Sequence, residues 1–187
     1  MKPGPVAKAN QVRIIGGMWR SRLLRFPSAE DLRPTPDRVR ETLFNWLGQD
    51  LTGQSCLDLF AGSGALGFEA ASRGAKSVVM IEHNAQVERA LRKNCSLLAA
   101  ERIEIQRADA LAFLEIDTRR FDVIFLDPPF NGNLLPEVLP RLPERLALEA
   151  RVYLEANRLP DLAPEWHRLK HTRAGSVLGL LIEWRPT

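Results

Sequence analysis

Residues 55–67 read Ser-Cys-Leu-Asp-Leu-Phe-Ala-Gly-Ser-Gly-Ala-Leu-Gly, an apolar run followed at once by a glycine-rich turn. The run predicts a buried strand, and the residues from Ala65 to Gly74 have a helical pattern that the glycine ends. A strand, a glycine turn and a helix in succession are typical of a nucleotide-binding loop, because glycines let the backbone approach a ligand closely. The stretch therefore predicts an open α/β sheet with a ligand at the end of its first parallel strand.

The rest of the chain alternates between strand and helix patterns. Apolar runs predict strands at 78–81, 102–106, 122–126 and 151–155. The segments 167–172 and 177–184 predict a closing antiparallel hairpin. This order indicates a Rossmann-like α/β fold, with a mostly parallel seven-stranded sheet, helices on both faces and an antiparallel carboxyl-terminal edge.

A second motif, Asp127-Pro128-Pro129-Phe130, directly follows the apolar run 121–126. The prolines remove two backbone donors, so the carboxylate and nearby carbonyls are left as outward-facing acceptors, and the aromatic ring offers a face for stacking a base. The alternative is a strand-ending turn with a solvated aspartate. Because parallel strands end at one edge, both motifs are expected to lie together, and the predicted catalytic residues are Asp127, Pro128, Pro129 and Phe130.

The glycine spacing also fits a dinucleotide, but the carboxylate of Asp58 precedes the turn. A carboxylate there would repel a pyrophosphate and attract an ammonium or sulfonium group, which favours S-adenosylmethionine over NAD. Glu82 ends the next strand and can accept from ribose hydroxyls, while Asp109 can accept from the adenine amine or cap a helix. The predicted cofactor-binding residues are Asp58, Phe60, Ala61, Gly62, Ser63, Gly64, Glu82, His83, Asp109 and Ala110.

Charge is concentrated at the amino terminus. Residues 1–40 contain nine basic and three acidic side chains, a net +6, whereas the whole chain carries +3 and the remainder therefore −3. A basic arm on a mildly acidic domain is the electrostatic footprint of a polyanion-binding protein, although the first ten or so residues are expected to form only a solvated tail. The predicted RNA contacts are Arg13, Arg20, Arg22, Arg33 and Arg38.

The arm also has local structure. Apolar runs at 12–15 and 23–26 predict a hairpin, in which Trp19 either stacks on a base or anchors the turn. Thr35 is the predicted N-cap of a helix that starts at Pro36. We therefore divide the chain into a basic arm and hairpin, residues 1–34, and a domain predicted to bind S-adenosylmethionine, residues 35–187.

Composition excludes several other classes. The 187 residues, 45% of them hydrophobic, can form one substantial core. No apolar run approaches the roughly 18 residues of a membrane span. Two cysteines, Cys56 and Cys95, predict reduced thiols in a cytoplasmic protein. A zinc pair at His167 and His171 would need a helix where the pattern indicates a strand, so we expect no metal, and a monomer is the expected state.

The motifs resemble a known family. Residues 58–64, Glu82 and Asp127-Pro128-Pro129-Phe130 resemble class I S-adenosylmethionine-dependent methyltransferases that act on amino nitrogens. The amino-terminal blocks, Arg13-Ile14-Ile15-Gly16-Gly17, Arg33-Pro34-Thr35 and residues 38–47, resemble bacterial small-subunit ribosomal RNA guanine-N2 methyltransferases, the RsmD family. The resemblance spans Val12 to Trp184, and Phe130 stands where many relatives carry tyrosine, so stacking is retained without the phenol hydroxyl.

The resemblance implies methyl transfer from S-adenosylmethionine to the 2-amino group of one guanine in 16S ribosomal RNA, in the small ribosomal subunit or an assembly intermediate. Asp127 and the Pro128 carbonyl would accept the two amine hydrogens, which aims the nitrogen lone pair at the methyl group. Two alternatives stay open: a DNA adenine amino-methyltransferase, which shares the Pro-Pro motif, and an RNA-binding assembly factor without catalysis.

Overall fold

The computed structural model describes residues 10–28, 35–129, 134–158 and 160–186. Its strands are β1 Asn10–Arg13, β2 Leu23–Phe26, β3 Ser55–Asp58, β4 Ser77–Ile81, β5 Ile103–Gln106, β6 Phe121–Leu126, β7 Leu146–Ala156, β8 Trp166–Ala174 and β9 Val177–Trp184. Its α-helices are α1 Asp37–Trp46, α2 Ala65–Ser72, α3 Ala85–Leu98, α4 Ala110–Ile116 and α5 Leu135–Val138. The expected amino-terminal tail, Arg33 and Phe130 lie outside the described residues.

The large sheet has seven strands in the order β5-β4-β3-β6-β7-β9-β8. The first five strands in this order, β5, β4, β3, β6 and β7, pair with their neighbours in parallel. Strand β9 pairs antiparallel with both β7 and β8. The predicted fold is confirmed, with one refinement: β9 is inserted, so the edge strand β8 again runs with the parallel strands. From β3 the chain first builds outward to β5 and then returns to β6. The boundary between β3 and β6 is thus the switch point at which such sheets bind ligands.

Each face of the sheet carries its own apolar core. Helices α1, α2, α3 and the β1–β2 hairpin cover one face, and α4 and α5 cover the other. Apart from Asp122, strand β6 is apolar because it contributes to both cores. Phe125 packs on Phe44 of α1, with ring centroids 6.0 Å apart, whereas Ile124 joins the second core. Burying a side chain of this size contributes about 1.5–3 kcal/mol.

The predicted hairpin shares the first core with the helices. Its inward side chains are buried there, namely Val12, Ile14, Leu24 and Phe26. The turn is held on the last turn of α2, where Met18 donates its N–H to the Ser72 carbonyl at 2.8 Å. Gly17 has φ +73°, and a Cβ there would lie 1.9 Å from the Ser72 carbonyl oxygen, so the contact requires glycine. Trp19 anchors the turn, since its backbone N–H donates to the Ser72 hydroxyl at 2.9 Å and its side chain packs on the core.

Helix α1 begins one residue later than predicted. The N-cap is Pro36, whose ψ of 146° is extended, and no side chain caps the helix. The predicted cap residue, Thr35, is buried and donates its hydroxyl instead to Asp127 Oδ2 at 3.3 Å. The N-cap prediction was therefore wrong, because a distant partner uses the hydroxyl that local pattern assigned to the helix.

Two composition-based expectations also have structural counterparts. Within the described ranges, no helix is both long enough and apolar enough to cross a membrane. Both cysteines are free thiols, and burial raises the pKa of Cys56 to about 12 and that of Cys95 to about 11. At neutral pH both thiols are protonated.

Candidate active site

Acidic side chains lie along the edge at which the parallel strands end, which we call the carboxyl edge. In sheet order they follow or end β5, β4, β3, β6 and β7, and they are Asp109, Glu82, Asp58, Asp127 and Glu155. Neighbouring strands are about 4.8 Å apart, so the row spans roughly 20 Å. A carboxylate row of this length suits an elongated ligand with several donor groups.

Hydrogen bonds hold the glycine turn in place between β3, α2 and β4. Asp58, at the end of β3, accepts from the Gly67 N–H at 2.9 Å, and Ala61 donates to the Ile81 carbonyl at 2.9 Å. Gly64 has φ +80°, and a Cβ there would lie 2.6 Å from the Phe68 ring. The turn thus packs tightly onto α2, with its backbone next to the switch point between β3 and β6.

Burial controls the charge of Asp58. The fully buried carboxyl has its pKa raised to about 7, chiefly by desolvation and further by the nearby carboxylate of Glu82. The N–H groups of Gly67 and Phe60 oppose the shift by hydrogen bonding. A cationic group placed beside Asp58 would favour its ionised form, as the sequence predicted for an ammonium or sulfonium group.

Glu82 is held in one orientation by the backbone. One carboxylate oxygen accepts from the Gly62 N–H at 3.1 Å, and the other accepts from the Asn84 N–H at 2.7 Å. Each oxygen has two lone pairs, so both retain capacity for a ribose hydroxyl. His83 lies beside it, exposed, with Nδ1 3.4 Å from Glu82 Oε1.

The remaining predicted cofactor residues lie on the same edge. Asp109 caps α4, because its Oδ1 accepts from the Leu111 and Ala112 N–H groups at 2.9 and 3.0 Å. Both cap bonds use one oxygen, so the second can still accept from a ligand amine. Ala110 is buried at the start of α4, Ser63 is buried in the glycine turn, and Phe60 is half-buried before it. This set of hydrogen-bond acceptors fits a nucleoside carrying a cationic tail, as in S-adenosylmethionine.

Asp127 lies beside this turn, two residues beyond Phe125, which is paired with Asp58 in the sheet. The pKa of Asp127 is raised well above its usual range, first by burial and then by the carboxylates of Glu155 and Asp58, against the Thr35 hydrogen bond. Pro128 is buried and Pro129 half-buried. Asp127, Pro128 and the glycine turn are therefore brought together.

Three further residues at this edge were missed in the sequence. Tyr153 and Glu155, both on β7, are buried, and the tyrosine hydroxyl donates to Glu155 Oε1 at 3.0 Å. Burial raises the pKa of Glu155, and the neighbouring hydroxyls of Thr35 and Tyr153 oppose the shift. The signal that identified Glu82, an acidic residue near the end of an apolar strand, was also present at Glu155.

The predicted RNA-binding arginines do not form one cluster. Arg20 lies in the hairpin turn, and Arg22 donates to the Leu97 carbonyl near the end of α3 at 3.4 Å. Both are at the amino end of the sheet, separated from the glycine turn by the length of α2, about 12 Å. Arg13 lies on β1 and is exposed, whereas Arg38, in the first turn of α1, is exposed close to Thr35.

A metal centre has no support in the described part of the chain. Among those residues, no group of three or more histidine, cysteine, aspartate or glutamate side chains could hold a metal ion. His167 and His171 lie on strand β8, as the sequence pattern indicated, and not on one face of a helix.

The comparisons with known proteins agree with this geometry. The family described as Conserved hypothetical protein 95 matches residues 12–182. Ribosomal RNA small subunit methyltransferase D of Escherichia coli K12 is 42% identical over 182 residues, covering 95% of this chain and 92% of that protein. The Haemophilus influenzae protein of the same name is 45% identical over 181 residues, covering 92% and 93%. A solved structure of the Escherichia coli protein yhhF superimposes with a TM-score of 0.85 and 40% identity, covering 95% of this chain and all of that one.

The family match extends over most of the chain and includes the hairpin, the glycine turn and the Asp-Pro-Pro motif. The sheet order, the helices on both faces and the inserted β9 give it the class I methyltransferase fold. The chain is therefore a methyltransferase and belongs to the Conserved hypothetical protein 95 family, the RsmD family that its sequence motifs predicted.

Proposed function

We propose that the protein transfers a methyl group from S-adenosylmethionine to the exocyclic 2-amino group of a guanine in ribosomal RNA of the small subunit. The observation that carries this proposal is the position of Asp127, adjacent to Asp58 and the glycine turn across the β3–β6 boundary. The names of the Escherichia coli and Haemophilus influenzae relatives support the choice of ribosomal RNA.

The cofactor would be held by residues on β3, β4 and the start of α4. Glu82 would accept from the ribose hydroxyls, Asp109 from the adenine amine, and Asp58 would face the cationic tail. The glycine turn, residues 60–64, would contribute backbone groups at close approach. Bound there, S-adenosylmethionine supplies an electrophilic methyl group on its sulfonium sulfur.

The protein's own chemistry lies in presenting the amine. A guanine amine is a weak nucleophile because its lone pair is delocalised into the ring. Asp127 and the Pro128 carbonyl would accept its two hydrogens, which favours a pyramidal nitrogen whose lone pair points toward the methyl group. As the N–C bond forms and the S–C bond breaks, the excess amine proton passes to Asp127. Catalysis is then mostly positioning together with proton acceptance.

The acceptor base must leave its stack to reach Asp127. Extruding a base costs on the order of a few kcal/mol, which stacking and phosphate contacts must offset. We propose Phe130 for the stacking and the arginines Arg13, Arg20, Arg22, Arg33 and Arg38 for the phosphates. Of these, Arg38 is the arginine for which proximity to Thr35 supports direct contact beside the extruded base.

The test is methylation of ribosomal RNA and small subunits from a strain that lacks the modification, with the product nucleoside mapped. We expect N2-methylguanosine at one position of the small-subunit RNA, and we expect Asp127→Ala to abolish transfer while S-adenosylmethionine affinity stays within a few-fold. Duplex DNA serves as the second substrate. Methyladenine in DNA would establish the rival DNA enzyme instead, and failure to bind S-adenosylmethionine by calorimetry would establish the assembly factor.

A further inference from the structure

Asp127 and Glu155 form a pair of neighbouring carboxyls, each with its own hydroxyl donor. They directly follow Leu126 and Leu154, which are paired in the sheet, so the two side chains lie side by side on one face. Thr35 donates its hydroxyl to Asp127 Oδ2 at 3.3 Å, and Tyr153 donates its hydroxyl to Glu155 Oε1 at 3.0 Å. Thr35, Tyr153 and Glu155 are each 4% exposed or less. Three polar side chains are thus buried behind the acidic group that faces the switch point.

Hydrogen counting limits how this pair can be satisfied. Thr35 and Tyr153 each have a single hydroxyl hydrogen, and each donates it to one carboxyl. A proton on one of the two carboxyls adds a third donor between them and removes one negative charge from the site.

The surrounding charges favour one proton on this pair. Two ionised carboxylates this close and this buried would repel strongly, whereas one shared proton leaves a single negative charge. The other acids that face Asp127 are Asp58 on β3 and, beside it, Glu82 on β4. The cation near this carboxyl pair is Arg40 of α1. Its Nε donates to the Thr35 carbonyl at 3.2 Å and fixes the threonine in place.

We propose that Thr35 and Glu155 are positioning residues for methyl transfer, which share one proton with Asp127 and make the three side chains a single acceptor for the proton released by the substrate amine. Tyr153 orients Glu155 in this unit. The inference rests on the proposed function for the identity of the amine. The unit starts with one proton and a net charge of −1 beside a cationic sulfonium. It ends with two protons and no charge beside a neutral thioether, so charge is conserved.

The first test needs neither RNA nor cofactor. Carboxyl 13C NMR of the free protein follows the titration of Asp127 and Glu155, with Asp127→Asn and Glu155→Gln providing the assignments. We expect the two resonances to titrate together in two steps. In Glu155→Gln a permanently neutral amide replaces the carboxyl that shares the proton, so Asp127 should titrate in a single step, near the lower of the two parent steps. A second step that persists on Asp127 in that variant overturns the proposal.

The second test uses two different responses to separate positioning from structural damage. The acid limb of the kcat–pH profile should stay near its parent position in Glu155→Gln, whose amide mimics the protonated carboxyl, and should move to higher pH in Thr35→Val, which deletes the donor to Asp127 while keeping the side-chain shape. Thr35→Ser should restore the parent profile, and the KM for S-adenosylmethionine should stay within twofold in all three variants. An equal upward shift in the glutamine and valine variants, or a valine variant with the parent profile, would contradict the shared proton. If the parent enzyme methylates no RNA, the proposed function fails while the NMR result still decides the unit.

Discussion

A single buried carboxyl, Asp58, couples the cofactor site to pH. Its pKa of about 7 arises chiefly from desolvation, so near neutral pH the free protein holds Asp58 partly protonated. A cationic ligand interacts favourably only with the ionised form of Asp58. In the molecules whose Asp58 is still protonated, binding must therefore displace that proton. If Asp58 faces the cationic group as proposed, it also makes the affinity for S-adenosylmethionine depend on pH.

We therefore expect S-adenosylmethionine affinity to rise by about tenfold between pH 6 and pH 8, as the ionised fraction of Asp58 rises from about one tenth to about nine tenths. The measurement is calorimetric titration of the free protein at both pH values. Asp58→Asn should bind more weakly at pH 8 and show only the pH dependence of the ligand's own groups. The variant should fold, because the amide oxygen can still accept from Gly67. Equal pH dependence in the parent and the variant would show that Asp58 does not face the cationic group.

At the scale of elements, one buried acid on α2 acts as a clamp that holds the hairpin against the helices. Glu69 is fully buried and its two oxygens accept from Ile15 and Gly16 of the hairpin at 2.8 and 2.7 Å. The same carboxylate pairs with Arg40 of α1 and Arg73 at the end of α2, at 3.4 and 2.8 Å. Donors from four residues thus converge on one carboxylate. A glutamine in its place would turn an NH2 group, which cannot accept a hydrogen bond, toward some of these donors.

Glu69→Gln should lower the free energy of unfolding by about 3–5 kcal/mol, the cost of breaking a buried charge pair by removing one partner. Guanidinium unfolding monitored by circular dichroism measures it. The matched control is Glu41→Gln on α1, where the side chain is exposed and the expected change is within about 0.5 kcal/mol. Equal stabilities of the two variants would show that the clamp contributes little and that apolar packing alone holds the hairpin.

The same elements show what the sequence could predict. Strand and helix alternation, the hairpins and the acidic residues after β3, β4 and β6 were predictable, because apolar periodicity and glycine or proline punctuation are local signals. The roles of Thr35 and Arg40 were not. Thr35 followed by Pro-Asp has a capping pattern, yet its partner Asp127 is 92 residues away. Arg40 counted toward a basic arm by composition, but it is fully buried in a network of backbone carbonyls and acids.

At the scale of the whole molecule, we expect the two ends of the sheet to serve different functions. The carboxyl edge holds the residues proposed to bind the cofactor and the acceptor base, whereas the hairpin turn with Arg20 and Arg22 lies at the opposite end, beyond the length of α2. On the proposed function, phosphates next to the extruded guanine lie close to Arg38, and a longer RNA is needed to reach the hairpin turn. If the turn contacts RNA at all, it must contact phosphates distant from the methylated base.

We therefore expect the double variant Arg20→Ala plus Arg22→Ala to weaken binding of a long small-subunit RNA fragment and to leave a short fragment nearly unaffected. The slope of log affinity against log salt should flatten by up to about 1.8 for the long RNA, since each of the two lost phosphate contacts removes about 0.7–0.9. The charge-matched control is Arg168→Ala plus Lys170→Ala on β8, at the far edge of the sheet, where both side chains are exposed. Filter binding across a salt series measures both pairs. Identical slopes for the hairpin variant and the parent on the long RNA would exclude the turn as a phosphate contact, and a flatter slope in the β8 control alone would locate the RNA path on the opposite side of the molecule.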